Sequence, residues 1–463
     1  MDKKFRILAS LLTPILATPV IAAACNSKKE QDKNNEKNQK NELMTPPPQD
    51  QGNLNQQDKN NEENQKNESM PHKDQGNLNQ QDKNEKTDNN QNSESPVNPN
   101  ETGDEEEKKK IEEEKKLKEK QEQEDKNNVE KVRKIIEKQK DAFGSFHTQK
   151  EFVDQINVYA KDKKINGLTL QNKEDENKPL NVDTDGGKNN KIKLQLGSQK
   201  FVAQLGIVLE DAVRTKYYIE NNKEKIITDP DGKFSSLKDK NQNVVITQIG
   251  YSLKDKSSKR EKVIEIHKMP KNTKEVPEHL PLKIKSLKLA FNELNSEEVL
   301  NLDKWDVSNV ESMETMFFDA KKFNQDISKW KTKNVTNMTG LFSGAHNFNK
   351  PLNLWNVSKV TTMTNMFDGA SKFNQDLNDW DVSKVINMEE MFRSAESFNG
   401  KIGDWNVENV ETLDDMFLYA TKFQQDLSEW KTKKVKSKRW DFIFNHTYEY
   451  KSKVLKAWME NNK

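Results

Sequence analysis

From residue 305 onward the apolar residues return on a fixed period of 25. Trp305, Trp330, Trp355, Trp380, Trp405 and Trp430 each open the same phrase, W-D-V-S-N-V-x-x-M-x-x-M-F-x-x-A-x-x-F-N-Q-D-L-x-x. Counting from each tryptophan, offset +5 is valine (Val310 to Val435), +8 methionine or leucine (Met313 to Leu413), +12 phenylalanine (Phe317 to Phe417) and +15 alanine (Ala320 to Ala420). Steps of three, four and three put these positions on one helical face. They predict a helix from about Asn309 to Ala320 in the first repeat, with Ser308 and Glu311 as its capping box. Phe323 and Ile327 follow, and their counterparts recur in each repeat. An even step of four lets both point into one core from a strand. One strand and one helix per repeat predict an α/β fold, a β/α solenoid of about six 25-residue leucine-rich-like repeats with a parallel sheet. Asn324, Asn349, Asn374, Asn399 and Gln424 hold one offset, where a buried amide can satisfy the backbone of the adjacent coil.

The tryptophans admit two readings. Leu377 to Trp380 is an odd step. If the chain turns between them, the six rings are buried anchors; if it runs on extended, they form an exposed ladder suited to sugars or peptides. After Trp430 the pattern decays, with Lys438 at +8 and Asn445 at +15. Trp440, Phe442, Ile443, Phe444, Val454, Leu455 and Trp458 are expected to cap the open end of the core over residues 436–463.

Upstream the periodicity changes. Phe152 to Tyr159 reads as a short helix. Lys191–Leu196 and Lys200–Leu205 read as a hairpin across Gly197-Ser198. Ile207–Tyr218 looks helical, and Val244–Leu253 with Lys262–His267 reads as a second strand pair. Residues 146–243 are taken as a small α+β domain and 244–300, broken by Pro270, Pro277 and Pro281, as the N-terminal cap of the repeats, which run over 301–435. Asp183 and Asp185 open a stretch that resembles a calcium loop, but Ile192 stands where a bidentate glutamate is needed, so a polar turn is preferred. Residues 105–145 alternate acidic and basic blocks with favourable Glu-to-Lys i,i+4 pairs and read as a solvated helix. Its apolar stripe (Val129, Val132, Ile135, Ile136, Phe143) appears only near the end and should dock on the folded body.

Residues 26–104 are low in apolar residues and contain a near-duplication, Asp50–Asn60 returning as Asp74–Asn84. Such a stretch cannot bury enough surface to order itself, and is expected to be a disordered tether. Residues 1–25 have the parts of an export signal: Lys3, Lys4 and Arg6, then an uncharged apolar run ending in Ala22-Ala23-Ala24-Cys25. That ending resembles the lipobox of bacterial lipoproteins, with Ala22 where those proteins prefer leucine. The resemblance implies a lipid on Cys25, the only cysteine of the chain. With no second cysteine, disulfides are excluded and burial must hold the fold.

The 463 residues carry a formal net charge of +1, which argues against a nucleic-acid partner. There is no phosphate loop, nucleophile elbow, zinc-protease signature or CxxC pair, and the six histidines are scattered. No catalytic, cofactor or metal residue is assigned, and the expectation is a protein that is not an enzyme.

Phrases such as WDVSNVESMETMFFDAKKFNQDI resemble the repeats of BspA-like leucine-rich-repeat surface lipoproteins of mollicutes. The lead-in from TQIGYSL to IKSLKLAF is similar to the segment before those repeats. The likeness implies a lipid-anchored protein on the extracellular face of the cell membrane, and partners among host matrix proteins or glycans. The 25-residue unit departs from the Leu-x-x-Leu-x-Leu pattern, which leaves horseshoe curvature and any inherited ligand open. The candidate binding face is the polar edge just before each tryptophan: Ser328, Lys329, Asn378, Asp379, Ser428 and Glu429. Two further readings stand beside an adhesin. One is a structural or variable surface antigen without a dedicated ligand, which wholly buried tryptophans with no surface patch would favour. The other is an enzyme or transport accessory in residues 146–289, which a deep pocket of convergent polar groups would favour. An oligomeric state is not defined by these features.

Overall fold

The computed structural model describes residues 101–463 apart from 240, 256–260, 438–442, 445–447 and 462–463. The expected signal, Cys25 and nearly all of the expected tether, as well as Trp440 and Phe442, lie outside the described residues.

The chain enters on α1 (Glu101–Gln139), whose first half is solvated and whose second half buries Val129, Val132 and Ile136. Arg133 lies 4.9 Å from the centre of the Phe201 ring. The Asp125 carboxylate accepts the Ser198 amide at 2.8 Å, which ties the helix to a hairpin turn. Helix α2 (Gln149–Lys161) starts at a true capping box: Thr148 accepts from the Glu151 amide, and Glu151 accepts from the Thr148 amide. It packs Phe152, Val153 and Ile156 against β1 (Thr169–Leu170), β2 (Lys191–Leu196) and β3 (Gln199–Gln204), an antiparallel sheet in that order. The hairpin across Gly197-Ser198 forms as expected. In the polar loop before β2, Asp183 accepts the amides of Gly186, Lys188 and Asn189 at 2.8–2.9 Å, so its carboxylate anchors a turn.

The expected helix over Ile207–Tyr218 is absent. The chain instead forms β4 (Ala212–Val213) and β5 (Thr215–Ile219), because Val213, Thr215 and Tyr217 are buried alternately, a period of two. With β6 (Asn222–Asp229), β7 (Val244–Gln248), β8 (Tyr251–Asp255), β9 (Lys262–Ile266) and β10 (Thr273–Glu275), these strands build two sheets, β10-β7-β5-β6 and β4-β8-β9. Val244–Leu253, read as one strand, is divided between the two sheets at Ile249-Gly250. A side chain at Gly250 would meet Thr215 Oγ1 at 2.1 Å, so only glycine permits the crossing.

Beyond β9 the coils stack directly on this sheet. Parallel bridges run Glu265, Ser286, Ser312, Asn337, Thr362, Asn387, Thr412, one per coil. One hydrophobic core continues from Val213 to Trp458, separate from the core of α1, α2 and β1–β3.

The β/α solenoid expected from the repeats is not what forms. The described residues of 305–437 contain neither a helix nor a named strand; regular structure lies before and after them and is mainly β. Two features overturn the helix over Asn309–Ala320. First, the residues at offsets +10 and +14 are left-handed throughout: Thr315 and Asp319, Gly340 and Gly344, Asn365 and Gly369, Glu390 and Ser394, Asp415 and Tyr419, with φ between 51° and 71°. Second, the amides alternate in their use. Those of Met313, Thr315, Phe317 and Asp319 donate to Asn337, Thr339, Leu341 and Ser343 of the next coil, at 2.7–2.9 Å. Those of Met316, Phe318 and Ala320 donate three residues back within their own coil, at 3.1–3.2 Å. A helix keeps every amide inside itself; here half cross to the neighbour, so the segment is a run of tight turns. The capping box does not form either: Ser308 N–H goes to Asp306 Oδ1, and Glu311 pairs with Lys285.

The same apolar positions are nonetheless the core. Phe317, Phe342, Phe367, Phe392, Phe417 and Phe444 form a column of stacked rings 5.5–5.7 Å apart. Phe323, Phe348, Phe373, Phe398 and Phe423 form a second column, each ring 3.9–4.1 Å from its partner in the first. All six repeat tryptophans are 1–3% exposed. Each indole N–H donates to a carbonyl of the preceding coil, for example Trp380 to Leu352 at 2.9 Å. The exposed-ladder reading is therefore excluded. At the far end α3 (Lys451–Asn461) lays Trp458 on Trp430, 6.0 Å apart and 4° from parallel, and so continues the column. The asparagine column bonds as expected but on the surface rather than in the core. Asn324, Asn349, Asn374 and Asn399 each accept the amide of the next coil's equivalent residue at 2.8–3.0 Å. Asn374→Ala is expected to cost about 1 kcal/mol in urea unfolding, while Asn374→Asp, which keeps the acceptor, should cost less.

Candidate functional site

On its outer side, the run of turns at offsets +9 to +14 forms a shallow groove across four coils. Its floor is where side chains are missing: Gly340, Gly344 and Gly369 fall at the left-handed offsets. Its walls are Thr315, Phe318 and Asp319 of the first repeat, Thr339 and Ser343 of the second, Asn365 and Asp368 of the third, and Arg393 of the fourth, enclosing about 470 Å³. Phe318 is 38% exposed, the one large apolar side chain on this wall. Arg393 is fixed by two bonds to Asp368, Nε–Oδ1 at 2.9 Å and Nη2–Oδ2 at 2.7 Å, and by Glu390 at 2.6 Å. The Asp368 carboxylate pushes the pKa of that guanidinium up. The Thr315 hydroxyl is buried without a hydrogen-bond partner. A hydroxyl-lined strip with two carboxylates, one amide and one aromatic edge can hold an elongated ligand through hydrogen bonds and a stacked ring. Closing the floor tests the geometry: a Cβ at Gly344, where φ is +71°, would meet Asp319 Oδ1 at 2.4 Å. Gly344→Ala is expected to cost about 2 kcal/mol, read by urea unfolding.

The polar edge singled out from the sequence lies elsewhere on the coils. Ser328, Asn378 and Ser428 are half-buried, while Lys329, Asp379 and Glu429 are exposed. The same offset of the first, third and fifth repeats brings these pairs to one edge of the stack. Part of that edge is structural: the amides of Ser328 and Ser428 cap Asp326 and Asp426, and Asn378 bonds Asp404 of the next coil. None of the six lines the groove. Sequence reasoning missed the groove because a groove is an absence of side chains; the signal was glycine at both left-handed offsets of one repeat.

A cavity of about 410 Å³ sits between α2, β9 and the first coils, lined by His147, Glu151, Asp154, Gln155, Lys262, Lys283, Lys285 and Glu311 among others. Its charges largely cancel one another. Lys283 pairs with Glu151, Lys150 with Asp154 at 2.6 Å, and Lys285 with Glu311 at 3.7 Å. Burial pushes the His147 imidazole down to about 4, and its ring bonds the Tyr251 hydroxyl and Gly144. These groups hold two elements together.

Among the described residues no helix is long and apolar enough to cross a membrane. Comparison with curated proteins and with solved structures found no match. The model of a family described as Mycoplasma protein of unknown function, DUF285, matches residues 285–397 and 375–462, so the coil stack and its cap are what this chain has in common with that family.

Proposed function

We propose that the chain is a lipid-anchored surface protein whose coil stack binds a host or extracellular-matrix macromolecule, with the glycine-floored groove as the contact. The groove carries this reading. It spans four coils, and its walls combine two carboxylates, the Asn365 amide and three hydroxyls with one exposed ring. The match to a Mycoplasma family agrees with a mollicute surface protein. The export-type N-terminus with Cys25 supplies the anchor in this reading, and the likeness of the repeats to BspA-like proteins supplies the ligand class. The test is binding of the full-length protein to immobilised matrix proteins and glycans at several salt concentrations. Phe318→Ala and Thr339→Tyr change the groove; Lys329→Ala with Asp379→Ala changes the polar edge. Saturable binding lost with the groove variants alone supports the proposal, and loss with the edge variants moves the site to Ser328, Lys329, Asn378 and Asp379.

A second reading, a surface antigen without a dedicated ligand, is favoured by one observation: all six tryptophans are spent on the core. Folded protein that binds nothing on the array would leave that reading in place.

A further inference from the structure

Asp162, Glu278 and His279 come from two separate parts of the chain and meet at the surface. Asp162 ends α2, just after Ala160 of the first core. Glu278 and His279 lie between Val276 and Leu280 of the second. One ligand atom from each of the three lies within 4.8 Å of the other two, and His279 Nε2 is 2.7 Å from Asp162 Oδ2. The His279 ring is set edge-on to Tyr159, 5.4 Å between centres and 74° between planes, which fixes its direction. A groove of about 370 Å³ opens beside the three and carries a further carboxylate, Glu275. A cation already stands beside it: the Lys304 ammonium is 2.5 Å from Glu278 Oε1.

We propose that these three side chains form a divalent-metal site of the zinc class, which staples the α1–α2–β1–β3 body to the body that carries the coils. One imidazole and two carboxylates suit zinc and its neighbours in size and borderline softness. Bonds of about 2.0–2.2 Å at tetrahedral angles hold ligand atoms about 3.3–3.6 Å apart, so Asp162 must draw back slightly from His279 while Glu278 turns toward the ion, which side-chain rotation at 43% and 50% exposure allows. Binding displaces Lys304 from Glu278, a half-exposed pair whose loss costs little. Three protein ligands leave a fourth position to water. The ion would bind the folded chain alone, since the ligands are 116 residues apart in sequence from Asp162 to Glu278, and so it would raise thermal stability.

The experiment uses the full-length chain with Cys25→Ala, so that no thiol competes, stripped with chelator and titrated with Zn²⁺. The unfolding temperature is expected to rise by about 3–6 °C at saturation, and the rise to vanish in His279→Ala and in Asp162→Asn. Substituting Co²⁺ for Zn²⁺ gives a second readout that does not depend on variant stability: visible absorption bands that are lost with His279→Ala. No temperature rise with zinc, or an equal rise in His279→Ala, overturns the proposal. Neither result bears on binding at the groove, which is read separately on the array.

Discussion

Phe367→Ala is expected to cost about 3–5 kcal/mol. The ring is fully buried in the middle of the first phenylalanine column, 5.7 Å from Phe342, 5.5 Å from Phe392 and 4.0 Å from Phe373. A cavity there has no means of collapsing. The Phe367 amide is bonded to Met391 at 2.8 Å and the Phe342 amide to Met366 at 2.9 Å, so the spacing of the coils is set by the backbone. The void persists, and the cost lies toward the upper end of the range. Urea unfolding followed by tryptophan fluorescence measures it. A loss below about 1 kcal/mol would mean that the coils can close up on one another, and that the rungs do not set their spacing.

Stability is expected to fall as pH drops from about 6.5 to about 4, through two buried histidines. Burial pushes His147 down to about 4 from an ordinary 6.5, and does the same to His267, which is bonded to Thr215 Oγ1 at 3.2 Å. Both are neutral in the fold at pH values where the unfolded chain has already taken up protons. Their contribution is complete above about 6.5, drains away through the window, and is gone below about 4. Each is worth up to about 3 kcal/mol, since one pKa unit is about 1.4 kcal/mol. The check is the urea midpoint at several pH values in the unmodified chain and in the His147→Gln, His267→Gln double variant. The variant should lose most of the slope in that window; an unchanged slope would place the acid sensitivity in other groups.

The apolar offsets of the repeat identified the core almost completely. Val310, Met313, Phe317 and Ala320 are fully buried together, and so are their equivalents down the stack. What they did not identify is the backbone path between them. Steps of three, four and three fit a helical face, and they fit equally a run of turns with left-handed residues at offsets +10 and +14. Glycine at 340 and 344, and Asn365 with Gly369, pointed to the second, because these residues reach positive φ at least cost. Glu390, Ser394 and Tyr419 at the same offsets hid it, since local preference there runs against the conformation that the neighbouring coils impose. The role of Trp458 was legible as part of a cap, yet its place as the seventh indole of the column was not, because the 25-residue spacing fails in that last step. The meeting of Asp162 with His279 was illegible for a different reason: it depends on how two bodies pack, and no periodicity records that.

Alternating amides also have a mechanical meaning. Each coil is fastened to the next by the same few rungs, so under tension no coil is stronger than its neighbour. The stack should give way from an end, one coil at a time, each freeing up to about 85 Å of chain before the load passes to the next. Pulled on, such a molecule behaves as a reel of length let out in equal increments, and its resistance is set by a single coil junction however many coils it has.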